Sequence, residues 1–281
     1  MERSIKNPTL YLILTLLLSS IGSMPVYANE FRVRLNQVVG ENTQSEDVIA
    51  EIRFGRKVAA RILGREKLYN DTALTHYLNL IGTTLVQHAS RSELEYHFAI
   101  LDRPYPNAYS TPGGYVFVTK GAIDAARDEA ELAAVLAHEI AHVSLRHIVN
   151  DLNIHGSDNS GFSGLARVLG AISNTAHVAL SQSVDKAMSI LFNKGFNGKE
   201  EIEADQTATM IMAETGYDPT ALKRYLQRVA NTTHDNNEVQ THPPTAERLH
   251  ALDTLLATEG LDNVSYPTVK TRFNKMTGRT P

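Results

Sequence analysis

Hydrophobic positions along the chain recur mainly with the spacing of amphipathic helices. Between residues 41 and 65, apolar Val48, Ile52 and Ile62 recur at intervals close to whole helical turns. Asp71 is suited to cap the start of a second helix that carries its apolar side chains on one face. The same criteria predict one or two helices within residues 165–191 and further helices at 128–147, 200–216, 219–230 and, as the last one, 244–257.

Two shorter segments have the composition of β-strands, at residues 94–101 and 115–118. Residues 102–111 between them contain two prolines and an asparagine, and we interpret them as a loop. The tripeptide Pro112-Gly113-Gly114 that follows is a turn signal. One small sheet among many helices predicts an α+β fold that is mostly helical.

The first 28 residues have the three-part pattern of a secretory signal peptide. Arg3 and Lys6 precede an apolar stretch from Leu10 to Ile21, and Ala28 is a small residue at the right place for cleavage. A transmembrane helix needs about 20 apolar residues, so this stretch is short for an anchor, although an uncleaved anchor is the alternative. Cleavage would place the mature chain in the periplasm, with no stable membrane span.

Composition narrows the chemistry that this chain can perform. The 27 Lys and Arg residues against 31 Asp and Glu residues give a net charge of −4, so nothing predicts binding to nucleic acid. The absence of cysteine excludes disulfides, thiolate nucleophiles and cysteine-bound metals. A metal site must therefore use carboxylates and the 11 histidines.

The sequence His138-Glu139-Ile140-Ala141-His142 lies in the most strongly helical stretch of the chain. A spacing of four residues puts both imidazoles on one helix face, where they can reach one metal ion. Glu139 lies beside them and can touch a metal-bound water without binding the metal. The alternative is a surface histidine pair, but the apolar flanks predict a buried helix, in which histidines and a glutamate need partners.

A catalytic zinc site requires a third protein ligand and an open position. Glu201 and Asp205 share one face of the helix predicted at 200–216, so one of them can bind the metal while the other holds a histidine ring. For the neighbouring Glu200 and Glu203 we favour a solvated acidic surface.

These residues, together with several other motifs in the same order, resemble the HtpX-like gluzincin metallopeptidases, metallopeptidase family forty-eight, and in particular their soluble, exported members. The resemblance covers roughly residues 40–250. Its motifs are Asn107-Ala108, Pro112-Gly113-Gly114, Glu131-Leu132, the His138–His142 pentapeptide, Arg146-His147, the segment from Glu201 to Asp205, His242-Pro243 and Arg248.

The resemblance implies a zincin-like metallopeptidase domain at residues 29–258, followed by a C-terminal tail at 259–281. It implies that Glu201 is the third Zn²⁺ ligand and that Asp205 orients a ligand histidine. Glu139 would then act as the general base that removes a proton from zinc-bound water attacking a peptide bond. The implied substrates are misfolded or misassembled envelope polypeptides, and outer-membrane assembly machinery is a candidate partner.

His242 and Arg248 have more than one interpretation. The resemblance implies that His242 occupies the fourth zinc position and holds the enzyme idle. Alternatively, His242 or Arg248 acts catalytically by stabilising the oxyanion of the tetrahedral intermediate, or both are structural. His147 lies five residues after His142, off the ligand face of a continuous helix, and we interpret it as structural.

An extended peptide substrate requires a strand edge to bind to. The strand at residues 115–118 is the predicted edge, through Tyr115 and Val116, with Gly113 and Gly114 allowing close backbone approach. An ordinary hairpin with a glycine turn is the alternative. The competing function is a chaperone-like or binding protein with a closed structural zinc site, which would have no need of Glu139.

Overall fold

The computed structural model describes residues 45–91, 93–152, 174–230 and 241–280. The predicted signal peptide and the loop at 231–240 lie outside these residues. Within the described part, no helix has the length and apolar character needed to cross a membrane. Helices dominate, and the described strands form one small sheet, which confirms the predicted fold class.

Most of the predicted helices are present at about the predicted positions. The helix Gly198–Thr215 is an example: an Asn197–Glu200 capping box begins it, and Gly216 in the left-handed conformation follows its last residue. In chain order the helices are α1 (Ser45–Arg65), α2 (Thr72–Val86), α3 (Lys120–Ala125), α4 (Glu129–Ser144), α5 (His147–Asp151), α6 (Asn174–Ser189, continued by a π-helical turn, Ile190–Lys194), α7 (Gly198–Thr215), α8 (Ala221–Val229), α9 (Ala246–Thr258) and α10 (Lys270–Thr277).

The sheet contains β1 (His97–Leu101), β2 (Ala108–Thr111) and β3 (Tyr115–Thr119) in the order β1-β3-β2. β3 pairs in parallel with β1, His97 opposite Tyr115, and antiparallel with β2, Ala108 opposite Val118. The interpretation of residues 102–111 as a loop is therefore wrong for the last four of them. Their sequence, Ala-Tyr-Ser-Thr, does not alternate between apolar and polar residues. All four side chains are buried, and a strand that is buried on both faces does not need that alternation.

The predicted substrate edge at Tyr115 and Val116 is also wrong. β3 is the central strand, so its backbone groups are engaged with neighbours on both sides. β1 and β2 are the two edge strands of the described sheet, and β2 is the one that lies beside α4. The order of strands depends on contacts between distant segments. The local sequence of the β2–β3 hairpin does not determine which of its two strands pairs with a third strand.

Gly113 and Gly114 form the turn between β2 and β3, with φ angles of 77° and 92° that favour glycine. A Cβ on Gly113 would lie 2.7 Å from the Ile52 Cα, and one on Gly114 would lie 2.9 Å from the Glu95 carbonyl oxygen. The glycines thus allow the turn to pack against the protein's own backbone. The prediction that they admit a substrate is wrong, and the hairpin alternative is confirmed.

α4 lies at the centre of the molecule, and every one of its residues is buried. The Asp128 side chain caps it by accepting a hydrogen bond from the Glu131 N–H. α7 packs along it, and both helices present fully buried alanines, Ala137 and Ala141 on α4 and Ala204 and Ala208 on α7. Side chains this small let the two backbones approach closely, so that polar groups on the facing surfaces meet.

The helix predicted at 128–147 is interrupted near its end. α4 stops at Ser144, and Arg146 has a left-handed backbone, with φ of 59° and ψ of 34°, before α5 begins at His147. A non-glycine residue rarely adopts this conformation, and the sequence carries no glycine to announce it. The interruption turns His147 back toward His142.

A further helix, α10, follows α9, so the expectation that the helix at 244–257 is the last one is wrong. α10 inserts Phe273 into the main hydrophobic core, where it is completely buried. Arg272 pairs with buried Glu129 at the start of α4, and Arg279 donates to carbonyl groups at the end of α3. α10 has only eight residues and a polar composition, so the one aromatic side chain that anchors it gives no periodic signal.

We expect that replacing Phe273 with alanine lowers the free energy of unfolding by about 3–5 kcal/mol, the usual cost of deleting a buried phenylalanine. Urea unfolding monitored by circular dichroism measures this. Val264→Ala is the control, because Val264 lies between α9 and α10 and is 50% exposed. Equal stabilities of the two variants would contradict the packing of α10 in the core.

Candidate metal centre

Side chains from α4 and α7 meet at their interface and bring three predicted ligands together. The Nε2 atoms of His138 and His142 lie 3.0 Å apart. Glu201 Oε2 lies 3.4 Å from His138 Nε2, and Glu201 Oε1 lies 3.6 Å from His142 Nε2. The three residues are nearly inaccessible to solvent. The folded chain therefore unites the pair of histidines with the carboxylate predicted as their partner.

His242 supplies a fourth donor atom from the segment before α9. Its Nδ1 lies 3.2 Å from His138 Nε2 and 2.8 Å from Glu201 Oε1. Zinc bonds of about 2.0–2.1 Å in tetrahedral geometry separate ligand atoms by about 3.3 Å. One donor atom from each of the four residues lies within 4.8 Å of the others. The donor set and its spacing thus fit a tetrahedral metal ion.

The charges of these groups also suit a metal. Burial opposes a positive charge on His138, but contacts with Asp205 and Glu201 outweigh it and raise the His138 pKa to about 9. Burial, and then the positive charge of His138, lower the pKa of His142 well below its ordinary value. Without metal, His138 thus carries a proton and His142 does not. A metal ion would displace that proton and compensate the buried carboxylate.

Asp205 and Arg248 contact the predicted ligands His138 and Glu201 and hold them in position. Asp205 Oδ1 lies 2.9 Å from His138 Nδ1, the nitrogen that points away from the other donor atoms. Arg248 donates to both Asp205 oxygens, through Nε and Nη2 at 2.7 Å each, and its Nη1 lies 2.7 Å from Glu201 Oε2. The guanidinium is 1% exposed and its third contact is with the Pro243 carbonyl oxygen. Arg248 thus positions the two carboxylates, and the alternative that it stabilises an oxyanion stays a prediction.

His147 contacts the ring of His142, a role that sequence reasoning missed. The two Nδ1 atoms lie 2.7 Å apart. If His142 offers Nε2 to a metal, its proton must be on Nδ1 and is donated to His147. His147 then carries its own proton on Nε2, which lies 3.6 Å from the Glu203 carboxylate. Burial, and then the charge of His138, lower the His147 pKa to about 4, so His147 is neutral at pH 7.

Phe196 fixes the plane of the same ring. It stacks on His142 with a centroid distance of 4.1 Å and an interplanar angle of 20°. His142 is therefore held by a hydrogen bond at its edge and by an aromatic ring on its face. No periodic or motif signal singled out Phe196, because it lies in the short connection between the π-helical turn and α7.

Glu139 points toward the cluster without joining the four donor atoms. Its Oε1 lies 3.6 Å from His242 Nε2. Its Oε2 is buried and has no hydrogen-bond partner among the described residues. A buried carboxylate oxygen without a donor costs free energy, and a water molecule held by a metal would supply the missing donor.

The backbone around His242 is held tightly against α6 and β2. Gly195 ends the π-helical turn with φ of 71°, and a Cβ there would lie 2.2 Å from the Thr241 carbonyl oxygen. The Thr241 hydroxyl donates to the Asn107 side chain at 3.2 Å. The position of His242 thus depends on a close approach that glycine alone permits.

Comparison with known proteins bears directly on this geometry. The sequence model of peptidase family M48 matches residues 72–256, which contain all four donor residues and Glu139. The chain belongs to peptidase family M48. This confirms the family resemblance that the motifs predicted, and it explains why the donor set, Glu139 and Asp205 occur together.

The similar M48 proteins include bacterial and mitochondrial members. The beta-barrel assembly-enhancing protease of Escherichia coli (strain K12) is 26% identical over 218 residues, covering 72% of this chain and 41% of that protein. The protein of that name from Yersinia pestis is 27% identical over 206 residues, with the same two coverages. The mitochondrial metalloendopeptidase OMA1 of Schizosaccharomyces pombe is 29% identical over 196 residues, covering 67% and 54%. The matched part is thus between 41% and 54% of these relatives' lengths.

We expect His147→Ala to weaken zinc binding by about 10- to 100-fold, since the loss of a partner that orients a ligand histidine has this effect. Competition with a chromophoric chelator measures the affinity. His76→Ala is the matched control because His76 is exposed on α2. Equal zinc affinities in the two variants would contradict a contribution of His147 to zinc binding and leave it a purely structural role.

Proposed function

We propose that this M48 chain is a zinc-dependent endopeptidase. The observation that carries the proposal is the position of Glu139, a buried carboxylate with an oxygen that lacks a hydrogen-bond donor, beside four converging metal donors. His138, His142 and Glu201 would hold the zinc. The bound ion would lower the pKa of a water molecule toward about 7 and polarise the carbonyl of the peptide to be cleaved.

Glu139 then performs the proton transfers of peptide hydrolysis. It accepts a proton from the attacking water, whose oxygen bonds to the peptide carbon. It delivers this proton to the amine nitrogen as the C–N bond breaks, so that one water and one peptide bond yield a carboxylic acid and an amine. Asp205 and Arg248 keep His138 and Glu201 in place throughout.

The edge strand β2 is suited to bind the substrate backbone. The Thr119 N–H donates to the Asn107 carbonyl oxygen at 3.0 Å, which makes these two residues a hydrogen-bonded pair. Such pairs alternate along an antiparallel ladder, so the backbone groups of Ala108 and Ser110 point away from β3. The Ala108 N–H donates to the Asn107 side chain at 3.0 Å, a contact that a substrate carbonyl could replace.

His242 would restrain the enzyme by occupying the fourth position. Its Nδ1 lies within reach of an ion held by the other three residues, where the attacking water must otherwise be placed. Activity then requires displacement of His242. The same closed set of four donors favours the alternative function, a binding protein with a structural zinc, although such a site has no use for Glu139.

The proposed substrates are misfolded or misassembled envelope proteins in the periplasm. The signal-peptide pattern at residues 1–28 supports export. Two bacterial relatives are named for enhancing β-barrel assembly, which supports a role near outer-membrane assembly machinery.

We expect Glu139→Gln to retain zinc and to lower turnover of an unfolded protein substrate by at least about 10²-fold, because glutamine keeps the size but cannot accept the proton. Zinc is quantified by atomic emission and cleavage by gel. Glu247→Gln, at an exposed position on α9, is the control. Undiminished cleavage by the Glu139→Gln variant would contradict the role of Glu139 as the general base.

We expect His242→Ala to raise turnover several-fold, because a larger fraction of molecules then has the fourth position open. Initial rates at saturating zinc test this, with exposed His250→Ala as the matched control. A loss of turnover with zinc retained would instead assign His242 to the catalytic machinery.

A further inference from the structure

A pocket opens beside Glu139 and His138, on the side of the metal centre where β2 begins. One wall is Val135, which precedes His138 by one turn of α4. The opposite wall is a single face of α8, formed by Leu222, Tyr225, Leu226 and Val229. None of these five residues takes part in the metal site or in the proton transfers.

The pocket walls are apolar because of how α8 is patterned. Its pocket-lining residues recur at intervals of three, one and three, which places them on one helix face. The charged residues of α8 are paired elsewhere: Lys223 with Asp253, Arg224 with Asp218 and Arg228 with Glu131. Arg248, which also lines the pocket, already faces two carboxylates.

The proposed chemistry identifies which substrate residue lies next to this pocket. Glu139 protonates the leaving nitrogen, which belongs to the residue immediately after the cleaved bond. A pocket that borders Glu139 is therefore placed to receive the side chain of that residue. The other end of β2, with Ser110 and Thr111, lines a separate cavity next to His142.

The direction of β2 leads to the same assignment. A substrate that adds antiparallel to β2 runs from the Thr111 end toward the Ala108 end, and Ala108 lines the pocket. The half of the substrate that follows the cleaved bond then lies at the pocket. The strand direction and the position of Glu139 are independent observations.

On the basis of the proposed endopeptidase activity, we infer that this pocket selects a large apolar side chain at the position immediately after the cleaved bond. Burial of a leucine or phenylalanine there is favourable because it removes apolar surface from water. An aspartate would lose its hydration and face the Glu139 carboxylate. A lysine would lose its hydration against the apolar walls. Such apolar residues become available mainly in unfolded proteins, in agreement with the proposed substrates.

A set of quenched fluorescent peptides that differ only at this position tests the inference on the full chain. Leucine, phenylalanine, alanine, lysine and aspartate are compared by kcat/KM in the chain and in its His242→Ala variant. We expect leucine to exceed alanine by at least about tenfold and aspartate by about 100-fold. Mass spectrometry of the products confirms the cleaved bond.

Substitution of the walls should change the preference in two directions. Val135→Ala enlarges the pocket and should raise the phenylalanine-to-leucine ratio of kcat/KM at least about threefold, and Val229→Phe fills it and should lower that ratio. Val143→Ala is the matched control, because Val143 lies on the same helix and is also buried, 4% exposed against 7% for Val135, but does not line this pocket. We expect Val143→Ala to leave the ratio unchanged even if it lowers stability.

The outcomes separate this inference from the proposed function. Cleavage without preference at this position, or a ratio that moves equally in the Val135 and Val143 variants, overturns the pocket assignment and leaves the endopeptidase standing. Zinc bound with no cleavage of any peptide or unfolded protein overturns the endopeptidase, and the pocket assignment falls with it.

Discussion

The burial of ionisable side chains on α4 is the constraint on which the rest of this structure depends. The helix is enclosed on all sides, yet it carries Glu129, Glu131, His138, Glu139 and His142. Each of these groups loses its hydration when the chain folds. A buried charge without a partner costs an amount of free energy comparable to the whole free energy of unfolding of a domain. The surrounding elements must therefore supply partners, and their arrangement follows from this need.

The partners come from widely separated parts of the chain. Glu129 is met by two tyrosine hydroxyls and by Arg272 of α10, and together they hold its pKa below the ordinary value although burial alone would raise it. Glu131 is met by Arg228 of α8. The two histidines are met by α7 and by α5. α10 and α8 thus fix the start of α4, and α7 and α5 fix the end that carries His138 and His142.

Glu139 differs from Glu129 and Glu131 because one of its oxygens has no hydrogen-bond partner among the described residues. Unsatisfied groups of this kind are rare in native proteins and are concentrated where chemistry occurs. The pocket beside Glu139, with its apolar walls, lies directly next to this carboxylate. His242 both lines the pocket and is one of the four metal donors, so a substrate in the pocket would lie against His242.

The sequence by itself determined most of the helices and the His138–His142 pentapeptide, and it reduced the predicted third metal ligand to Glu201 or Asp205, because these depend on spacings of three and four residues within single helices. It also determined the family, through several motifs in a fixed order. Only the tertiary structure decided which strand lies at the sheet edge, that α10 closes the core, and that His147 supports His142. Strand order depends on which distant segment pairs with a given strand. The contact of His147 with His142 requires Arg146 in the left-handed conformation, which no local sequence pattern predicts. The pocket likewise exists only because α8 and β2, more than 100 residues apart, meet beside Glu139.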